Sequence, residues 1–169
     1  RQMILHNTTH NAYVNLIEGN ADLIFVTSPS EDELALAEEK GMELEVIPVV
    51  SECFVFLVSE DNPVDSLDLN EIVDIYSGKI TNWSQVGGDQ VPIRAYQRPE
   101  NSGSQTGMLE LVMKDVPRME PPMEQVTAMM GELIDAVATY QDEPDAIGYS
   151  YYYYVTDMWG QKTTKLLEV

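Results

Sequence analysis

The sequence predicts an α/β fold, because segments typical of β-strands alternate along the chain with segments typical of α-helices. Short runs of apolar and β-branched residues have the length of buried strands, and between them apolar residues recur at helical spacing. Several helical segments begin at a serine, threonine or aspartate and end at a glycine, which are common helix caps. A chain of 169 residues is long enough to bury a core, as one domain or as two small lobes.

The first third of the chain is predicted to contain two helices and three strands. The first helix begins at a threonine cap, Thr8 or Thr9, and ends near Gly19. The second helix, over 30–41, begins with a serine that is followed three residues later by a glutamate, which is the capping-box pattern. The strands are expected at 21–28, 44–50 and 53–59.

The remainder of the chain is predicted to contain three helices and two strands. One helix begins at Asp68, which forms a capping-box pattern with Glu71, and it ends at Gly78. A glycine inside the last strand, Gly148, indicates a bend or a close approach of another element. The other elements are a strand over 91–98, a helix after Ser102, a helix over 131–140 and a strand over 146–155.

The charge balance argues against a nucleic-acid partner. The chain carries 29 acidic and nine basic residues, a formal net charge of −20, whereas nucleic-acid phosphates require a basic surface. So many acidic residues are explained by a well-solvated surface. The longest apolar run, 53–58, is far too short to cross a bilayer.

Few side chains outside one motif suggest a site. The two histidines, His6 and His10, lack the carboxylate or cysteine pattern of a metal centre, so no metal or other cofactor is expected. Cys53 lies in an apolar run and is expected to be buried as a small hydrophobic side chain. The tyrosines of 151–154 could form an aromatic ligand platform, although rings packing alternately against a strand explain them better.

Residues 98–106, RPENSGSQT, have the composition of an anion-binding site. A helix N-terminus leaves backbone N–H groups unpaired and carries a partial positive charge. Ser102 and Ser104 add hydroxyl donors, and Gly103 allows an anion to approach the main chain. Arg98 can direct its planar guanidinium to the same point. A helix cap at Ser102 and a surface ion pair at Arg98 would explain the same residues without a ligand.

Three segments, NPVDSLDLNEIVDIYSGKITNWSQVGG (62–88), IRAYQRPENSGSQT (93–106) and DAIGYSYYYYV (145–155), resemble a known family. It is the PstS-like family of phosphate-binding substrate-binding proteins of ABC importers, which have the type II periplasmic-binding-protein fold. The resemblance runs from about Thr9 to Val169, and the combination is far more specific than any single segment. It implies two α/β lobes joined by two crossing strands, with the ligand in the cleft between the lobes.

The resemblance also implies a domain division and a set of ligand-binding residues. Lobe one is expected to comprise 1–50 and 151–169, and lobe two 51–150 with both hinge crossings. Relative to the family, the first strand and the phosphate loop of lobe one are expected to be missing. The positions that match the family's phosphate donors are Arg98, Ser102, Gly103 and Ser104 in lobe two and Thr9 in lobe one, with Thr8 and Thr27 as further candidates. Thr27 stands where the family places an aspartate that accepts the proton of hydrogen phosphate.

The function implied is that of an extracytoplasmic solute-binding domain for phosphate or a related oxyanion, feeding an ABC importer. The expected partners are that oxyanion and the membrane subunits of the transporter, and the full-length protein is expected to be anchored to the membrane. A sensor or interaction module that keeps the fold without high-affinity phosphate binding is the alternative, and Thr27 together with the missing loop favours it. An enzyme is not expected, because the sequence shows no His–carboxylate pair, metal-ligand spacing or nucleophile elbow.

Overall fold

The computed structural model describes residues 4–139, 144–159 and 163–169, and it has the α/β architecture that the sequence predicts. The α-helices are α1 (Thr9–Ile17), α2 (Glu31–Glu39), α3 (Leu69–Tyr76), α4 (Gly103–Gly107) and α5 (Met130–Thr139). The strands are β1 (Phe54–Ser59), β2 (Arg94–Ala95), β3 (Ala146–Tyr151) and β4 (Thr164–Leu166). Short 3-10 turns occupy Trp83–Val86 and Met123–Gln125, and π-helical turns occupy Met108–Met113 and Tyr154–Trp159. Among the described helices, none combines the length and the apolar character needed to cross a bilayer.

The four strands form one mixed sheet in the order β2-β3-β1-β4. The two long strands, β1 and β3, are antiparallel, with Phe54 opposite Tyr151 and Val58 opposite Ile147. The short edge strands differ in direction, because β2 runs parallel to β3 and β4 runs antiparallel to β1. A parallel pair requires a crossover connection, which the chain between β2 and β3 provides through α4 and α5.

The sheet is covered by helices on both faces, because alternate residues of a strand point to opposite sides. On one face, Phe56 and Val58 of β1 belong to a buried cluster with Ile72 of α3. On the other face, Leu57 packs in a second cluster with Leu133 of α5. Apolar burial on both faces of β1 explains why its sequence reads as a continuous apolar run rather than an alternating one.

The predicted close approach at Gly148 is present where α5 crosses the sheet. A Cβ atom on this glycine would lie 2.5 Å from Leu133 Cδ2 and 2.9 Å from Val137 Cγ2. Both of those side chains are fully buried, so a methyl group has no room to enter. The glycine therefore sets how closely α5 packs against β3. The predicted last residue of this helix, Tyr140, lies outside the described residues.

The helix caps predicted from the sequence are present. Thr8 is the N-cap of α1, and its Oγ1 accepts a hydrogen bond from the Asn11 N–H at 3.5 Å. Ser30 and Asp68 begin α2 and α3, and each forms a complete capping box. Gly78 follows α3 with φ of +80°, a conformation that glycine adopts without strain.

Replacing Asp68 with alanine is expected to lower the free energy of unfolding by about 1 kcal/mol, because a side-chain cap of α3 is lost. The Asp68 side chain caps the third residue of the helix, while Glu71 Oε2 accepts from the Asp68 N–H at 2.8 Å. Urea unfolding followed by circular dichroism measures the change. Glu71→Gln is the matched control, because glutamine can still complete the box. A loss at Glu71→Gln as large as at Asp68→Ala would contradict the cap explanation.

Two of the predicted strands, 21–28 and 44–50, are wrong. Neither segment has regular secondary structure, and both expose large apolar side chains, with Phe25 77% and Val50 84% exposed. Their apolar and β-branched residues favour an extended chain, but a strand also needs a hydrogen-bonded neighbour. Among the described residues, neither segment is paired to another strand.

Three further expectations need correction. Cys53 is exposed rather than buried, because β1 begins one residue later at Phe54. The strand predicted over 91–98 is regular only at Arg94–Ala95. The strand predicted over 146–155 ends at Tyr151, after which the chain turns into a helical segment, so the tyrosines that follow do not pack alternately on a strand.

The position of β4 bears on the predicted division into lobes. Residues 151–169 were assigned to lobe one on the basis of the resemblance, but Leu166 pairs with Leu57 and Thr164 with Ser59 in the middle of the chain. Leu167 N–H also donates to the Phe56 carbonyl at 2.9 Å. The last strand therefore belongs to the same sheet as β1, which was assigned to lobe two. The division into lobes stays a prediction.

Candidate functional site

A cleft of about 660 Å³ lies where the first turns of α1 and α4 meet β3. The structure brings together in its lining every residue that the sequence analysis proposed as a ligand contact. These residues are Thr8, Thr9, Thr27, Arg98, Ser102, Gly103 and Ser104. The lining also includes two tyrosines of the 151–154 run, Tyr151 and Tyr154, and residues that the sequence analysis did not propose as ligand contacts, namely His6, Asn7, Asn11, Met129, Met130 and Ser150.

The helical segment that begins at Gly103 presents its N-terminal end to the cleft. Ser102 is the N-cap, and its Oγ accepts from the Gln105 N–H at 3.2 Å, so its hydroxyl proton stays available for another acceptor. The N–H groups of Gly103 and Ser104 lie in the first turn, where no intrahelical acceptor exists. The helix continues as a π-helical turn over Met108–Met113, an irregularity that is common at functional sites. Ser102 is thus a helix cap and a cleft residue at the same time.

At Gly103 the two sides of the cleft lie close together. A Cβ atom at this position would lie 2.3 Å from Thr27 Oγ1 and 2.9 Å from Thr9 Oγ1. The main chain of Thr27 is held in place, because its carbonyl oxygen accepts a hydrogen bond from the Tyr13 hydroxyl at 2.7 Å. Burial is the main cause that raises the pKa of Tyr13 to about 12, and the nearby negative charges of Glu33 and Glu110 add to it. Tyr13 therefore remains a donor throughout the neutral range.

Three hydroxyl oxygens in the lining are buried and have no hydrogen-bond partner. They belong to Thr27, Ser104 and Ser150. Ser150 is 0% exposed and Ser104 is 5% exposed, so water cannot readily replace the missing partner. A buried hydroxyl without a partner costs roughly 1–3 kcal/mol. Three such groups around one cavity indicate that the cleft is built to hydrogen-bond a ligand.

Arg98 is held in place through both its backbone N–H group and its side chain. Its backbone N–H donates to Gln105 Oε1 at 3.1 Å and to the Tyr149 hydroxyl at 3.0 Å. Its side-chain Nε and one terminal nitrogen donate to the carbonyls of Thr127 and Ala128, each at 2.9 Å. Those bonds use two of the five guanidinium N–H groups, which leaves three for a ligand.

The electrostatic surroundings of Arg98 favour an anion. Burial lowers the pKa of its guanidinium from the usual value, although the group stays charged at any physiological pH. The ion pairs formed among the described residues involve other cations, such as Arg94 with Asp145 and Arg118 with Glu100. The surface ion pair that would explain Arg98 without a ligand is therefore not observed in the described part of the chain.

A buried network behind Arg98 holds it in place. Gln105 is 0% exposed, and its side-chain oxygen accepts from both the Arg98 N–H and the Tyr149 hydroxyl. Burial raises the pKa of Tyr149 well above its usual range, and the backbone N–H and positive charge of Arg98 partly oppose that rise. The tyrosine thus stays neutral, and the end of β2 is tied to α4 at the mouth of the cleft.

One wall of the cleft is apolar. Met129, Met130, Tyr151 and Tyr154 line it, and the Tyr151 hydroxyl donates to the Gly103 carbonyl at 3.3 Å. Tyr154 also stacks on Trp159, with ring centroids 6.4 Å apart. Two tyrosines of the 151–154 run therefore contribute to the cleft, which is closer to the ligand-platform interpretation than to the strand-packing one.

The two histidines differ in their surroundings. His6 lines the cleft, whereas His10 Nδ1 lies 3.1 Å from Glu33 Oε1 on the neighbouring helix. Within the described ranges, no group of three or more histidine, cysteine or acidic side chains is arranged to hold a metal ion. The chemistry of the site therefore comes from its donors: hydroxyls, N–H groups and one guanidinium.

Ser150 is a buried lining residue that the sequence analysis did not propose. It was assigned to lobe two without a ligand role, but it lies in β3 and lines the cleft. Its neighbour Tyr149 points to the opposite face, as strand alternation requires. A serine inside an otherwise aromatic and apolar strand is the signal that could have identified it.

Comparisons with known proteins agree with the resemblance seen in the sequence. The model of the PBP superfamily domain matches residues 4–167. The phosphate-binding protein PstS of Bacillus subtilis is 27% identical over 139 residues, which cover 82% of this chain and 42% of that protein. Protein SphX of Synechococcus elongatus is 26% identical over 103 residues, which cover 57% of this chain and 31% of that protein.

Solved structures give the same result for the fold. A protein from Clostridium perfringens, described as a phosphate ABC transporter substrate-binding protein with bound phosphate, superposes with a TM-score of 0.72 at 26% identity, covering 93% of this chain and 59% of that one. An ABC-type phosphate transport receptor from Vibrio cholerae superposes with a TM-score of 0.62 at 21% identity, covering 94% of this chain and 61% of that one. The chain thus spans about half the length of the relatives that it matches.

Proposed function

The chain belongs to the PBP superfamily, and from that premise we propose that it is an extracytoplasmic solute-binding domain for phosphate or a related oxyanion, feeding an ABC importer. The full-length protein is membrane-anchored in this proposal, and its partners are the oxyanion and the membrane subunits of the transporter. The chain acts by binding rather than by catalysis. The proteins that it resembles carry the name of phosphate-binding or phosphate-transport proteins, and the cleft supplies the matching chemistry.

One observation carries this proposal: three buried hydroxyls without partners surround a cavity that Arg98 also lines. A tetrahedral oxyanion offers acceptor oxygens in several directions, so it can satisfy Thr27, Ser104 and Ser150 at once. The guanidinium supplies the countercharge at close range. The strongly acidic surface does not prevent binding, because charges farther than about 8 Å are largely screened at physiological salt. It should slow anion capture more than it weakens the complex.

Binding would draw two parts of the chain together. Thr9 and Thr27 belong to the proposed lobe one, residues 1–50, whereas Arg98 and Ser104 belong to the part that follows residue 51. A ligand held by both sides favours a closed arrangement, and the exposed segment 49–53 is the proposed hinge. Hinge closure around a small ligand is a common form of motion in two-lobed binding proteins.

Titration of sodium phosphate into the protein, followed by calorimetry with sodium chloride as the control, tests the proposal. We expect saturable heat with phosphate and none with chloride. Ser150→Ala is expected to weaken phosphate binding by roughly 10- to 100-fold, because a hydrogen bond to a charged group is lost. Ser77→Ala is the control, because it removes a hydroxyl that donates to the Asp74 carbonyl far from the cleft. The affinity of this variant for phosphate should stay unchanged. The absence of heat with phosphate would overturn the proposal and favour an interaction module.

A further inference from the structure

We propose that the cleft binds fully deprotonated tetrahedral dianions, of which sulfate is the simplest probe, about as well as it binds hydrogen phosphate. This inference rests on the proposed function, because it specifies the ligand class of the same cleft. It starts from the polar side chains in the lining, which are hydroxyls, carboxamides, an imidazole and a guanidinium. Among the described residues that line the cleft, no carboxylate is present.

A carboxylate in an anion site makes a strong demand on the ligand. It can only accept hydrogen bonds, so it requires a proton on the anion and repels one that has none. A hydroxyl can donate to one ligand and accept from another. A site lined by hydroxyls therefore satisfies the acceptor oxygens of sulfate, and it also satisfies the O–H group of hydrogen phosphate. Buried polar groups discriminate strongly only when the wrong ligand leaves them unpaired, and neither anion does so here.

Thr27 is the residue that determines whether the cleft accepts an anion without a proton. Its Oγ1 is buried and without a partner, and it lies beside Gly103 in the cleft. The main-chain oxygen of Thr27 is already used by the Tyr13 hydroxyl, so the side-chain hydroxyl is the group left to meet a ligand. This hydroxyl accepts or donates as the ligand requires.

Two acidic side chains of the elements beside the cleft, Glu33 and Glu132, bond to groups outside the lining. Glu33 is 1% exposed, and its carboxylate accepts from the Ser30 N–H at 2.7 Å and contacts His10 at 3.1 Å. Glu132 accepts from the Met129 N–H at 3.0 Å at the start of α5. Neither side chain lines the cleft. Both carboxylates are thus bonded to donors outside the lining.

Calorimetric titrations of the 169-residue protein with sodium phosphate and with sodium sulfate, at matched ionic strength and with chloride as the control, test this inference. We expect dissociation constants within about tenfold of each other. We also expect each anion to displace the other in a competition titration. The competition uses the unmodified protein, so it decides the question even if a variant fails to fold.

A substitution at residue 27 gives a second, independent measurement. Thr27→Asp introduces an acceptor-only group and is expected to weaken sulfate binding by at least about 100-fold more than phosphate binding. Thr27→Asn introduces a side chain of the same shape as aspartate but without the charge. Both anions should still bind this variant within about tenfold of each other. Circular dichroism of both variants without ligand reports whether the fold is intact.

The outcomes separate this inference from the proposed function. Phosphate binding with sulfate at least about 100-fold weaker would overturn the inference and leave the proposed function standing. Binding of neither anion would overturn both. Binding of both anions with equal loss in Thr27→Asp and Thr27→Asn would show that residue 27 does not set the selectivity, which contradicts the role given to Thr27.

Discussion

Replacing Arg98 with alanine is expected to abolish ligand-dependent thermal stabilisation and to weaken phosphate binding by at least about 100-fold. The guanidinium is half-buried, and three of its N–H groups remain after the bonds to Thr127 and Ala128. In a partly desolvated cleft, removal of the countercharge leaves the anion with neutral donors alone. The chain around it has a net charge of −20, so no general attraction compensates.

Thermal unfolding with and without phosphate measures the first effect, and calorimetry measures the second. Arg98→Lys keeps the charge but lacks the planar fork, so we expect an intermediate loss. Arg118→Ala is the matched control for charge, because Arg118 pairs with Glu100 and Gln97 outside the cleft. The affinity of the Arg118→Ala variant for phosphate should stay within about twofold of that of the unmodified protein. Unchanged phosphate binding in Arg98→Ala would remove Arg98 from the site.

Gly103→Ala is expected to weaken phosphate binding by at least about 30-fold and to lower the free energy of unfolding by about 1–3 kcal/mol. The added methyl group would lie 2.3 Å from Thr27 Oγ1, a distance that no real Cβ contact tolerates. The Tyr13 hydroxyl holds the main-chain carbonyl of Thr27, and the second branch of the Thr27 side chain, Cγ2, would also lie only 3.2 Å from the new methyl group. The two sides of the cleft must then separate, which pulls the donors of Thr9 and Thr27 away from those of Ser104.

The double variant Gly103→Ala with Thr27→Ala tests this explanation. Removing Oγ1 and Cγ2 of Thr27 takes away two of the three atoms that the new methyl group would meet. We expect the double variant to recover most of the lost stability, measured by urea unfolding, while phosphate binding stays weak because a hydroxyl is still missing. Equal instability of the single and double variants would show that the strain arises elsewhere.

The parts of the fold that follow from local chemistry could be predicted from the sequence. The boundaries of α1, α2 and α3 depend on side chains within a few residues, such as Ser30 with Glu33 or Asp68 with Glu71. Several residues that line the cleft could be grouped from the sequence for a similar reason. Arg98, Ser102, Gly103 and Ser104 are close in sequence, and one strand-to-helix connection brings them together.

The errors arise where the outcome depends on distant partners. The 21–28 and 44–50 segments have strand-like composition, but pairing is a property of two segments, and one segment alone cannot show it. Cys53 was misplaced by a single residue at the start of β1, and element boundaries depend on where pairing begins. Ser150 was missed because its burial beside the cleft depends on how β3 meets α4, and the two elements are far apart in the sequence.

The segments 21–28 and 44–50 expose apolar side chains through which molecules could associate, and the acidic surface opposes that association. Strand-like stretches without a pairing partner tend to associate edge to edge, and charges within them such as Asp22 and Glu45 oppose that contact. Like-charge repulsion between molecules keeps such stretches apart as long as the charge is present and weakly screened. The protein should therefore stay dispersed in dilute buffer at neutral pH, and self-associate in concentrated salt or near its isoelectric point of about 4.1.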